Sequence, residues 1–109
     1  MKSALNAYSK TLSNEVAKHG IRVNTVSPGM VRTTAMETFL QGYALSIGKT
    51  VAEAEQQIMD GFGGVPMNRM AEPEEIANMV AFLLSSKSSH TTGQLIHVDG
   101  GYVHLDRAL

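Results

Sequence analysis

At 109 residues, 43% apolar and 17% charged, the chain is long enough for one small domain and too apolar for a disordered tail. A formal net charge of −1, with nine Lys and Arg residues scattered between Lys2 and Arg107, gives no basic field, so neither nucleic acid nor an anionic membrane is expected as a partner. The lack of cysteine excludes disulfides and thiolate metal sites and suits a reducing cytoplasm, and no apolar run reaches the roughly 20 residues that span a bilayer.

Residues 2–19 read as a helix, with Leu5, Tyr8, Leu12 and Val16 on one apolar stripe. Gly20 stands where a left-handed C-terminal cap is expected. The helix has no N-cap before Lys2 and opens on Met1, which is not followed by a secretory signal; further sequence is expected upstream. Residues 21–26 form a β-branched run, read as a buried strand that Ser27-Pro28-Gly29 ends. Thr34 offers an N-cap with Glu37 three residues on, and Thr50 with Glu53 repeats the signal, so two helices are expected over 34–59, joined near Gly48. Gly61, Gly63, Gly64 and Pro66 then make a loop.

Glu72-Pro73-Glu74-Glu75 reads as a helix start, with Pro in the first turn and acids at the positive end of the dipole. Ile76, Val80, Leu83 and Leu84 give its apolar face. Residues 85–92 read as a polar loop and 93–98 as a second strand, closed by Asp99-Gly100-Gly101. Two strands joined through helices imply a crossover, hence a parallel pair in an α/β layer. Parallel sheets are normally covered on both faces and have more strands, so these signals describe part of a sheet.

Five segments resemble the C-terminal half of a short-chain dehydrogenase/reductase. They are Lys2-Ser3-Ala4-Leu5-Asn6, Ile21-Arg22-Val23-Asn24-Thr25-Val26-Ser27-Pro28-Gly29, Ala71-Glu72-Pro73-Glu74-Glu75-Ile76-Ala77, Thr92-Gly93-Gln94 and Val98-Asp99-Gly100-Gly101. Order and spacing match along essentially the whole chain. The resemblance implies the C-terminal portion of a Rossmann-like, doubly wound parallel sheet, with two strands and about four helices. Residues 1–109 would be a single partial domain, with the family's variable substrate lid at about 34–69. NAD or NADP would be the cofactor and a small molecule the substrate.

By this resemblance Lys2 fits the Lys of the family's Tyr-x-x-x-Lys motif, and the Tyr position would fall before Met1. Hydride transfer at a carbonyl carbon needs a proton moved on its oxygen, and a Tyr of pKa near 10 does this at neutral pH when a nearby cation favours its phenolate. Lys2 would supply that charge and hold ribose hydroxyls. Tyr8 is followed four positions on by Leu12, and Tyr43 by Ile47, so neither rebuilds the motif; Tyr8 is expected to pack on the helix stripe. The family's Gly-rich phosphate loop and its Asn and Ser are likewise absent, so the chain alone is expected to be inactive.

The segment from Pro28 to Thr33 resembles the one that meets the nicotinamide. Pro28, Gly29 and the backbone near Val31 would contact the carboxamide, and the Thr33 hydroxyl the amide or a phosphate. The alternatives are a plain turn at Pro28-Gly29 and a helix cap at Thr33. Met36, Phe39, Tyr43, Met59, Phe62 and Met67 of the lid could line an apolar pocket or simply pack. Asn24 orders its backbone locally. His19, His90, His97 and His104 show no ligand spacing, so no metal is expected. The tail at 102–107 resembles that of some sugar-oxidising members.

Two functions follow as the main expectations, with an independent binding module built from the same parts as a third. The chain is a segment of an NAD(P)-dependent alcohol, carbonyl or sugar oxidoreductase, or it is a truncated, non-catalytic remnant that folds by self-association. Either way a homo-oligomer is expected, burying Leu5, Tyr8, Leu12, Ile96 and Val98.

Overall fold

A computed structural model describes residues 2–102, Lys2 through its backbone. Helix α1 (Lys2–Val16) is followed by one 3₁₀ turn at Ala17–His19. Gly20 ends it at φ 74°, its N–H donating to the Ala17 carbonyl. The expected helix is therefore divided at Val16, where its last residues tighten.

Strand β1 spans Thr25–Pro28, not 21–26. The four preceding residues spend their polar groups on other partners. The Arg22 guanidinium donates to the Leu83 carbonyl at 2.7 Å, the Ser88 hydroxyl at 3.0 Å and the Ser85 carbonyl at 3.3 Å. The Val23 N–H donates to the Thr92 hydroxyl, and the Val23 carbonyl accepts from Gly93. Asn24 uses both ends of its amide, donating to the Thr91 carbonyl and accepting from the Gln94 N–H. The ladder therefore starts at Thr25, which donates to the Gln94 carbonyl at 2.8 Å.

Strand β2 (Leu95–Val98) lies parallel to β1, with Thr25 opposite Leu95 and Pro28 opposite Val98. It starts two residues later than expected because Gly93 adopts φ 72° and turns the chain. Thr25 and Gly29 donate toward β2, so by alternation the missing N–H of Pro28 falls on the opposite edge, where a proline costs no ladder bond.

Between the strands run α2 (Thr34–Ile47), α3 (Val51–Gly61) and α4 (Pro73–Leu84). The fold is α/β, with two parallel strands and four α-helices. A further 3₁₀ turn, Ser86–Ser88, interrupts the expected polar loop. Thr33, not Thr34, caps α2, its side chain accepting from the Met36 N–H at 3.1 Å. The expected Thr34–Glu37 capping box does not form, since Thr34 is already helical and Glu37 turns toward Arg32. The Thr50–Glu53 box forms in full, and α2 ends at Gly48 with φ 67°.

The buried core sits in the α2–α3 hairpin. Leu40, Ala44, Ala54 and Met59 pack with Met70, and Met30, Met36, Tyr43, Ile47, Val51, Ile58 and Val65 lie against them. Of the expected lid residues, Met59 is buried while Phe39, Phe62 and Met67 are exposed. On α4, Leu83 is buried but Leu84 is 79% exposed. On α1, Tyr8 does not pack along the stripe as expected: it is 66% exposed and Leu5 is 58% exposed, because no described element covers that face. The radius of gyration is 17.1 Å, against about 13 Å for a compact domain of this length.

Arg22 joins β1 to the end of α4 across some sixty residues of chain. An Arg22→Met variant should lose roughly 2–3 kcal/mol, since three carbonyl or hydroxyl acceptors lose a charged donor. Urea unfolding followed by circular dichroism checks this.

Candidate functional site

Four of the five residues expected to form a site stand in one turn where β1 runs into α2. Pro28 is the last strand residue. Gly29 follows and donates its N–H to the Val98 carbonyl at 3.0 Å. A Cβ added at Gly29 would stand 2.8 Å from the Asp99 Cβ and 2.9 Å from its Cα. Glycine is needed here for close approach, a requirement beyond the turn dihedrals.

The next residues pair with the segment before α4. Val31 and Ala71 form an isolated parallel bridge. Ala71 donates to the Met30 carbonyl at 2.9 Å, and Arg32 donates to the Ala71 carbonyl at 2.8 Å. In this pattern the N–H and C=O of Val31 point away from Ala71. The Val31 carbonyl accepts from the Thr33 N–H at 2.9 Å. Among the described residues, the Val31 N–H meets no acceptor. The Thr33 hydroxyl accepts from Met36, which leaves its own proton to donate.

Lys2, the fifth residue, begins α1. A side chain at Gly93 would meet Lys10 and Ser13 of α1, while Asn6 lines a small hollow with Thr25 and Leu95. So α1 runs back along the strands and carries its Lys2 end toward their carboxyl ends, the end where the turn lies.

The far side of the turn is closed by the loop at 62–72. Met67 donates to the Gly100 carbonyl at 3.0 Å. Gly100 and Gly101, at φ 63° and 86°, bring the end of β2 so close that a Cβ on Gly100 would stand 2.9 Å from Val65. Arg69 and Glu75 form a two-pronged ion pair, both contacts at 2.7 Å. The Glu75 carboxylate also accepts from the Glu72 N–H at 2.8 Å, the reciprocal contact that starts α4. The Arg69 hydrogen bonds, and then that of the Glu72 backbone, hold the Glu75 carboxyl down to about 2. Arg69 carried no signal in the sequence, and Ala71 carried none for this bridge although it opens one of the resembling segments, since each acts on a partner brought near it by folding. Arg32 belongs with them: its guanidinium reaches Glu37 and Glu55.

Among the described residues no three His, Asp or Glu side chains could hold a metal, and no helix is long and apolar enough to cross a membrane. His97 stands 3.8 Å from Asp99. His104 and the tail at 103–107 lie outside the described residues.

Residues 1–103 match the family model described as Enoyl-(Acyl carrier protein) reductase. The uncharacterized oxidoreductase YmfI of Bacillus subtilis is 44% identical over 101 residues, 93% of this chain and 36% of that protein. A short chain dehydrogenase family protein from Francisella tularensis superposes with a TM-score of 0.75 at 46% identity, over 93% of this chain and 40% of that one. L-sorbose reductase from Gluconobacter frateurii, solved with NADPH and L-sorbose, gives a TM-score of 0.80 at 36% identity over 92% and 37%. The chain thus spans between a third and two fifths of the length of these relatives.

The Glu75 carboxyl is lowered from an ordinary value of 4.5, so the pairing stabilises the fold above that pH and is lost as pH falls from 4.5 toward 2. The carboxyl carbon shift of Glu75 should titrate near 2 and move upward in an Arg69→Gln variant. A midpoint unchanged by that substitution would show that Arg69 does not hold it.

Proposed function

The chain belongs to the short-chain dehydrogenase/reductase family, and from that premise we propose that it forms the nicotinamide-facing edge and the substrate lid of an NAD(P)-dependent oxidoreductase acting on an alcohol or carbonyl of a small molecule. The proposed cofactor contacts are Lys2, Pro28, Gly29, Val31 and Thr33, with residues 34–69 as the lid.

One observation carries this. Among the described residues the Val31 N–H has no acceptor, and it stands two residues from a Thr33 hydroxyl that still has a proton to give. A buried or half-buried amide without a partner is costly, and a ligand carboxamide or phosphate oxygen would satisfy it. Capping and cofactor contact are compatible roles for Thr33, because the cap uses a lone pair of its oxygen and the contact uses its proton. When bound, the nicotinamide would supply or accept the hydride. Lys2 would favour the phenolate of the Tyr that the family places four residues earlier, and would hold ribose hydroxyls. The relative solved with NADPH and L-sorbose supports a nicotinamide cofactor; the sugar is that protein's substrate.

Titrating NADPH into the ¹⁵N-labelled chain tests the assignment. The Val31 and Thr33 amide resonances should shift first, and Thr33→Val should weaken binding about 5- to 10-fold, the worth of one hydrogen bond. A folded chain whose Val31 and Thr33 resonances stay fixed at millimolar NADPH overturns it.

Self-association is a second proposal, carried by the exposed Leu5 and Tyr8 on α1 and Val80, Phe82 and Leu84 on α4. Apolar faces of this extent favour burial against a second copy. Sedimentation velocity should find a dimer or larger species, and Leu5→Asp with Tyr8→Asp should shift it toward monomer. A monodisperse monomer of the unaltered chain would sink the idea.

A further inference from the structure

The turn that holds Val31 and Thr33 is joined to the lid by one long side chain that no motif marks. Arg32 lies between those two residues, and its guanidinium reaches both lid helices. Its Nη1 donates to Glu55 Oε1 of α3 at 3.2 Å. Its Nε stands 3.5 Å from Glu37 Oε1 in the first turn of α2. The Arg32 side chain is 28% exposed and that of Glu55 15%, so this pair is shielded from solvent far more than the Arg69–Glu75 pair. The Arg32 Nε is buried and makes no hydrogen bond, Glu37 Oε1 standing 3.5 Å away. A buried donor that narrowly misses its acceptor gains a bond when the first turn of α2 closes on it.

The backbone of the same residue is fixed from the other side, Arg32 N–H donating to the Ala71 carbonyl. A displacement of α3 therefore cannot leave Arg32 behind without breaking its shielded ion pair. A displacement that keeps the pair pulls on the Arg32 side chain, whose own backbone is held at Ala71 between Val31 and Thr33. The apolar hairpin core fixes how α2 packs on α3; the strut fixes how the hairpin sits on the turn.

We propose that Arg32 is a positioning residue: through Glu55 and Glu37 it ties the orientation of the Val31 amide and Thr33 hydroxyl to the seating of the lid, so that what the lid covers and what the turn binds are felt by each other. The positioning role rests on the cofactor contact proposed above; the mechanical tie does not.

Hydrogen exchange of the folded chain, read by NMR, tests it. Glu55→Gln keeps the shape of the side chain and removes its charge. It should speed exchange of the Arg32 and Thr33 amides, 22 or more residues away in sequence, by about fivefold or more through easier local opening. Arg32→Lys should do the same, since an ammonium cannot serve both carboxylates in this geometry. The two together should add little to either alone, and the exchanged pair Arg32→Glu with Glu55→Arg should recover part of the protection. Faster exchange confined to α3 in Glu55→Gln, with the turn amides unchanged, overturns the proposal. Should Arg32→Lys fail to fold, Glu55→Gln carries the test by itself. NADPH added to the same samples separates the two ideas. Coupled amides with no NADPH shift leave the tie standing and the cofactor assignment fallen. NADPH shifts with uncoupled amides do the reverse.

Discussion

The Val98 carbonyl accepts from Gly29 on one side of a short turn, and the Ala71 carbonyl accepts from Arg32 on the other. These two hydrogen bonds join the sheet to the helices. Without the first, α2 would have no fixed origin at the end of β1. Without the second, the segment entering α4 would keep only the bond from Ala71 to the Met30 carbonyl on this side of the turn. Gly29 permits the arrangement because its Cα–Asp99 approach leaves no room for a side chain. The geometry of the candidate site follows from this clamp. Residues pinned at alternate positions must present the intervening N–H outward, and Val31 is that position.

The apolar core and the clamp are in different places. Leu40, Ala54 and Met59 bury themselves within the α2–α3 hairpin, while the two strands are short and half exposed. Stability is therefore uneven along the chain. The lid has its own packing, and the strands depend on side-chain bonds at their entrances, from Arg22, Asn24 and Thr92. The elongated form belongs to the same picture, with α1 touching the strands through Lys10 and Ser13 while its Leu5 and Tyr8 face outward.

Signals confined to a few neighbouring residues were legible in the sequence. Thr50 and Glu53 complete each other within one helical turn, and Gly20 and Gly48 stop helices through their own dihedrals, so these features stand where the pattern puts them. Pro28, Gly29, Val31 and Thr33 were gathered by a resemblance and do fall in one turn. The expectations that moved had a distant competitor. Residues 21–24 have strand propensity, but Ser85, Ser88, Thr91 and Thr92 claim their polar groups. Thr33 and Thr34 are equivalent caps by composition, and the bond from Thr33 N–H to Val31 decides between them by setting the turn. Arg32 with Glu55 had no readable signal, because a separation of 23 residues acquires meaning only once α2 and α3 fold back on each other.

Pro28 has a consequence for what else the sheet can accept. It ends β1 with its ring on the edge turned away from β2, where an ordinary residue would offer an N–H. A strand arriving at that edge finds the Val26 amide and then a gap, so an added ladder would be short and could not extend past the site turn. Any strand that pairs at this edge, whatever its origin, therefore ends its ladder at Pro28 and leaves the turn beyond it unpaired.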